Sequence, residues 1–368
     1  MGLLDYYKQF EGMTDLEVSA ELRARADERR RRALARIDPL DLSVTTWHEY
    51  PHPDIVAAIT FAGRRGINRP VDPSAIELRT ELGRRNGLEP ERVVAGNGAS
   101  DLLRGAALTL LSEGNELVTP WPSYPLYPLM ARDAGARAVP VAGFDPDRLL
   151  AALTEHTRVL VLCNPNDPTG ELIAAPELRD LIEALPETVT VLLDEALVEF
   201  ADPAHGQATL GLLDDHPQLL IFRTFSKVHG LAGLRCGYAL GGAGTEALLE
   251  RIAPPQGLSE VVQAGALEAL RKGMGIAAAR ADQVRRERAR LLEALHELPI
   301  DATESHANVV WLRAPGLRDG ELRAGLERAA VIVADGADVG APGFVRAAIQ
   351  SGGATDRLLN ALQGVLRA

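Results

Sequence analysis

Lys227 carries the chemical weight of this sequence because of its neighbours: Thr224 and Ser226 stand just before it, and Arg235 follows eight positions later. The apolar run Leu219–Phe222 leads into the segment, so the lysine is expected on a loop at a strand end. An amine there can be desolvated into a nucleophile, and two hydroxyls with a guanidinium suit a phosphate dianion. Read alone, the Ser-Lys pair is a surface lysine. Upstream, the apolar run Val189–Leu193 ends in Asp194-Glu195-Ala196. A carboxylate in such a low-dielectric place holds a pyridine nitrogen protonated, since a paired opposite charge favours the charged form of both groups. Read alone, Asp194 is a loop or capping aspartate.

Three further segments follow apolar runs. Asn164-Pro165-Asn166-Asp167-Pro168-Thr169-Gly170 is a turn-forming sequence, and by itself it means only a loop. Gly96-Asn97-Gly98-Ala99-Ser100-Asp101 precedes the apolar stretch Leu102–Leu111. Glycines that admit backbone N–H groups, followed by a helix start with a serine, make an anion cradle, although Ser100 or Asp101 is equally a plain N-cap. Tyr124, in Pro122-Ser123-Tyr124, can lay its ring on a flat heteroaromatic group or pack as an ordinary tyrosine.

These residues need a scaffold. Between about 75 and 245, β-rich runs alternate with helical segments: Arg92–Gly96, Glu116–Pro120, Arg137–Val141, Arg158–Asn164, Thr188–Asp194, Gln218–Thr224 and Cys236–Leu240. Several are apolar throughout, which predicts an α/β domain with a mainly parallel sheet covered by helices on both faces. Ligands gather beyond the carboxyl ends of such strands, where the residues above lie. Thr14-Asp15-Leu16-Glu17 has capping-box spacing and opens a predicted helix to about Ile37. Its Arg29–Arg32 run reads as a solvated face or subunit contact. A helical stretch Ser259–Leu298, short strands at Asn308–Leu312, Val331–Val333 and Phe344–Ile349, and a helix Thr355–Leu366 predict a smaller C-terminal α/β domain. The expected division is an arm at 1–40, a large domain at 41–250 and a small domain at 251–368.

The 368 residues are 46% hydrophobic and 24% charged, with a net charge of −12. That composition folds, and its acidity argues against a nucleic-acid partner. Cys163 and Cys236, the only cysteines, sit in apolar runs and read as buried thiols, with no disulfide or metal site. With neither an export signal nor an apolar run long enough to span a bilayer, a cytoplasmic protein is expected.

In order and spacing, these motifs resemble the class I/II aminotransferases of pyridoxal 5'-phosphate (PLP) fold type I. The stretch Arg92–Tyr238 is most similar to the histidinol-phosphate aminotransferase branch. The resemblance implies that Lys227 holds PLP as a Schiff base and shuttles a proton as general base and acid. It implies that Asp194 pairs with the pyridine nitrogen, that Tyr124 stacks on the ring, and that Ala99, Ser100, Thr224, Ser226 and Arg235 hold the phosphate. Arg346, in Phe344-Val345-Arg346-Ala347-Ala348-Ile349, is implied to anchor the substrate α-carboxylate; the alternative is an exposed strand arginine in an ion pair. Amino-acid and keto-acid substrates, with glutamate as donor, and a homodimer follow from the same resemblance.

The sequence departs from the family in places. Asp167 stands where an asparagine usually donates to the cofactor's phenolic oxygen, and Leu197 where a tyrosine contacts the same atom. Asn164 or Asn166 can substitute, or Asp167 is protonated. Pro70 replaces a tyrosine that crosses the dimer interface. The usual substrate-side segment is replaced by Thr45-Thr46-Trp47-His48-Glu49-Tyr50, whose Trp47, His48, Glu49 and Tyr50 either border the substrate pocket or belong to a structural loop. His229 either faces the cofactor or packs. Transamination is the leading expectation. Another PLP reaction on the same fold (decarboxylation, cyclisation or oxidation) is the alternative, and a non-catalytic sensor the third.

Overall fold

A computed structural model of the chain describes residues 38–367, together with Thr14 and Ala24. The predicted N-terminal helix, with its Arg29–Arg32 run, lies outside the described residues except at those two positions. The central sheet has seven strands: β2 (Val93–Gly96), β3 (Glu116–Trp121), β4 (Arg137–Ala142), β5 (Thr157–Cys163), β6 (Thr190–Asp194), β7 (Leu219–Thr224) and β8 (Gly237–Gly241), after a short β1 (Leu40–Asp41) outside this sheet. Their order is β2-β8-β7-β6-β5-β3-β4. All neighbours pair in parallel except β8, which is antiparallel to both β2 and β7.

The reason lies in the side chains. Strands β6 and β7 (TVLLD and LLIFRT) are buried almost throughout, as only a sheet covered on both faces requires. One core packs the sheet against the helices Ile76–Asn86, Ala175–Ala184 and Glu260–Arg271. The other face packs against Ala99–Leu110, Leu126–Asp133 and Glu246–Ile252. Edge strand β4 alternates exposed and half-buried positions and carries Pro140, which an edge tolerates because its N–H need not bond.

A third core belongs to a C-terminal lobe. Its sheet, from β9 (Asp301–Ala302), β10 (Val309–Arg313), β12 (Ala334–Asp335) and β13 (Phe344–Ala348), runs in the order β12-β13-β10-β9 and is antiparallel. Strand β11 (Val331–Ile332) pairs instead with β1. That pairing, with Leu42 and Trp47 in the same core, ties the stretch near residue 40 to the C-terminal strands. The expected helix Ser259–Leu298 is two helices, Glu260–Arg271 and Met274–His296. The first of them packs into the core of the large lobe. The last helix starts at Gly352, earlier than Thr355, because the Ser351 side chain caps it by accepting from the Ala354 N–H.

Candidate active site

Strand register gathers the chemistry. Cys163, the last residue of β5, lies opposite Asp194, the last of β6, and Asp194 lies opposite Phe222 of β7. Thr224 ends β7 opposite Gly237, which also faces Gly96 at the end of β2. Beyond these strand ends opens a cavity of about 130 Å³. Ala99, Ser100, Tyr124, Asp167, Asp194, Thr224, Ser226, Lys227 and Arg235 all line it.

Asp194 is the buried acid of this cavity, 4% exposed. Its Oδ2 accepts from the Tyr127 hydroxyl at 2.9 Å and its Oδ1 from the Ala196 N–H at 3.0 Å. Burial pushes its carboxyl up to about 6, against the pull of the Tyr127 hydrogen bond. Lys227 donates through Nζ to the Thr45 hydroxyl. Burial lowers its ammonium from the ordinary lysine range, and the Asp167 carboxylate is the chief force holding its proton on. A less basic amine is the state a nucleophilic lysine needs.

At the other end the helix Ala99–Leu110 starts from Gly98 with no side-chain cap, which leaves the N–H groups of its first turn for an anion. The Thr224 hydroxyl donates to Ser226 Oγ at 3.0 Å. The Arg235 guanidinium lies over Gly98, where a Cβ would come within 2.6 Å of Nη2. Hydroxyls, free N–H groups and a guanidinium at one end, a buried acid at the other and an amine between them fit PLP: phosphate, pyridine nitrogen and aldehyde respectively. The cradle that a Cβ at Gly98 would fill is the observation that carries this fit.

Several expected contributors stand elsewhere. Asn164 is consumed by Ile173, donating to its carbonyl at 2.9 Å and accepting its N–H at 2.8 Å. Asn166 accepts from Ser123 and donates to the Pro122 carbonyl and Thr169. Neither amide is left to replace the missing donors to the phenolic oxygen, and Leu197 lines the cavity with an apolar side chain. Trp47 is 9% exposed in the core of the C-terminal lobe, with the Arg280 guanidinium 4.8 Å over its ring. Tyr50 is 95% exposed. Neither borders the cavity; from their loop Thr46 does, and Thr45 reaches Lys227. His229 packs against Phe225 at 5.1 Å and borders a different cavity. Arg346 pairs with Asp167, Nη1 to Oδ1 at 2.5 Å, an ion pair as its alternative role required, but the side chain is only 17% exposed. Tyr127 is the contributor that sequence reasoning missed.

No cluster of His, Cys, Asp and Glu among the described residues could hold a metal ion, and no helix among them is long and apolar enough to cross a membrane. Both cysteines are free and buried.

Comparison with known proteins agrees with this geometry. The family model for aminotransferase class I and II matches residues 41–365. An aromatic amino acid aminotransferase from Corynebacterium efficiens is 34% identical over 334 residues, covering 89% of this chain and 94% of the relative. A histidinol-phosphate aminotransferase from Rubrobacter xylanophilus is 38% identical over 321 residues, 85% of this chain and 88% of the relative. Among solved structures, histidinol-phosphate aminotransferase from Sinorhizobium meliloti in complex with PLP superposes with a TM-score of 0.79 at 26% identity, over 93% of this chain and 94% of that one. A single mutant of Thermus thermophilus aspartate aminotransferase gives 0.80 at 26% identity, over 95% of each chain. The chain belongs to the class I and II aminotransferases, fold-type I enzymes that use PLP to transfer amino groups on amino-acid-like substrates.

Proposed function

We propose that this enzyme transfers the amino group of an α-amino acid, with glutamate as a donor, to a keto-acid acceptor in two half-reactions, and that Lys227 is both the covalent anchor of PLP and the proton carrier. The observation that carries the reading is the convergence of the Lys227 amine, the Asp194 carboxylate and the uncapped start of the helix Ala99–Leu110 on one cavity. PLP, when bound, supplies the electron sink that stabilises negative charge at the substrate Cα.

The protein's residues do the rest. Asp194, held by Tyr127 and the Ala196 N–H, keeps a proton on the cofactor's ring nitrogen by charge pairing in a dry setting. Ala99, Ser100, Thr224, Ser226 and Arg235 fix the phosphate, and Tyr124 covers the ring. Lys227, with its proton affinity lowered by burial, accepts the Cα proton and returns it. Arg346 is the anchor for the substrate carboxylate.

The two-lobed division and a cytoplasmic location belong to the same proposal, as does a homodimer. Val56, Phe61 and Ile67 stand exposed on and just after the helix Pro53–Gly66, an apolar surface that a second copy would cover. Sedimentation giving a single-chain mass at micromolar concentration would reject the dimer.

Purified holoenzyme mixed with glutamate and no acceptor is expected to release one keto acid per active site and then stop. Lys227→Ala is expected to lose the visible cofactor band and at least about 10³-fold in rate. Release of carbon dioxide in place of keto acid, or a Lys227→Ala protein at full rate, would overturn the reading.

A further inference from the structure

We propose that Asp167 is a built-in competitor for the substrate carboxylate: it neutralises Arg346, so that an incoming α-carboxylate gains that guanidinium only by displacing it. The proposal rests on Arg346 being the substrate anchor. Arg346 projects from β13, where it lies opposite Trp311 and Ala334. Asp167 comes from the turn after β5. An ion pair thereby links β13 to the turn after β5, with side chains 17% and 11% exposed.

Both terminal nitrogens of the guanidinium are already engaged. Nη1 is on Asp167 Oδ1, Nη2 donates to the Ser43 carbonyl, and Nε is buried without a hydrogen-bond partner among the described residues. Bidentate capture of a carboxylate needs two parallel N–H donors, and both terminal nitrogens of this guanidinium already donate to protein oxygens while Nε is buried. The charge is assigned as well. A ligand carboxylate arriving here meets a neutral pair and, beside it, a like charge at close range in a low-dielectric site, where such repulsion is weakly screened.

Nor is the pair remote from the chemistry. Asp167 lines the cavity together with Lys227, and it is the strongest electrostatic support of that ammonium. The consequence is discrimination. Small carboxylates that offer nothing beyond their charge cannot take Arg346 from Asp167, whereas substrates with further contacts in the cavity can.

The test is calorimetric titration of PLP-loaded protein with 3-phenylpropionate, a carboxylate with no amine to react, and with the neutral 3-phenylpropanamide. Asp167→Asn keeps the shape and removes the charge; it is expected to bind the carboxylate about tenfold more tightly, about 1.4 kcal/mol, and the amide unchanged. Adding Arg346→Ala to Asp167→Asn is expected to abolish that gain. If Asp167→Asn binds no tighter while Arg346→Ala weakens binding, the competitor role is wrong and the anchor stands. A gain that survives Arg346→Ala also rejects the competitor role. If Arg346→Ala changes nothing in either background, the anchor itself fails and the proposal falls with it. Asp167→Ser, which also removes the charge, repeats the measurement should Asp167→Asn not retain cofactor.

Discussion

Among the described residues the Tyr127 hydroxyl is the one side-chain donor to Asp194, and it is itself fully buried. Removing it in Tyr127→Phe leaves a buried carboxylate with only the Ala196 N–H, so the acid's pKa rises further above its present value of about 6. The fold should lose about 1 kcal/mol, the ordinary worth of such a bond. As a positioning residue, Tyr127 should show itself in the pH profile: kcat falls about tenfold near neutrality, the acid limb moves to higher pH and KM changes little. A variant with the same acid limb as the parent would make Tyr127 a packing residue. Lys227 and Asp194 were legible in the sequence because each sits in a local motif at the end of an apolar run, and Arg235 because of its spacing eight residues after Lys227. Tyr127 was not, since its partner is 67 positions away and nothing in a tyrosine three residues after Tyr124 says where its hydroxyl points. Trp47 and Tyr50 show the converse: aromatic residues in a loop advertise contact but not direction, and one is taken by the C-terminal core while the other faces solvent.

The helix Ala99–Leu110 and its entry glycine show what an element adds to its residues. Gly98 has φ +97°, and a Cβ there would fall within 2.6 Å of Arg235 Nη2, so Gly98→Ala strains the backbone and also pushes the guanidinium off the cradle. Gly114, φ +87° with open space around it, is the control: Gly114→Ala should cost about 1 kcal/mol of stability and leave cofactor affinity alone. Gly98→Ala should weaken PLP binding at least about tenfold at a similar stability cost, read by titrating apoprotein with PLP. Equal PLP affinity in the two variants would remove the cradle from the cofactor site. Strands of this sheet were legible because burial on both faces writes a run of apolar residues. The break at Lys272–Gly273 was not, because apolar periodicity continues through it and only the packing of Glu260–Arg271 into the large core separates the two helices. β1 was invisible for a similar reason: two residues carry no period, and their partner is β11, nearly the whole chain away.

Across the molecule, the junction between the large sheet and the C-terminal core is mixed, with Leu197, Phe200 and Val228 packed into that core. Among its polar contacts, Arg288 donates to the Phe200 carbonyl and Arg285 to those of Glu199 and Ala201. None of these pairings was readable in advance, because each joins side chain to backbone across distant segments with no local signature. Beside this junction a second cavity of about 380 Å³ is bordered by Glu199 and His229. Glu199 Oε2 is buried with no hydrogen-bond partner among the described residues, and burial pushes its carboxyl up to about 7 although Arg223 pulls it down. A carboxyl whose folded pKa exceeds its unfolded value near 4.5 contributes stability below that value and loses it as pH rises through about 7. His229, lowered to about 4 by burial, acts oppositely: its contribution is complete above the unfolded value of 6.5 and is lost as pH falls toward 4. The two offset each other in the parent protein, so the glutamate must be isolated by substitution. Glu199→Gln is neutral at every pH. Each pKa unit is worth about 1.4 kcal/mol, and partial exposure of this side chain reduces the yield. Urea unfolding of the apoprotein should therefore find Glu199→Gln more stable than the parent by about 2 kcal/mol at pH 8 and by well under half of that at pH 5. A difference that does not change with pH would mean that Glu199 stays ionised in the folded state, and that the second cavity is wet enough to solvate it.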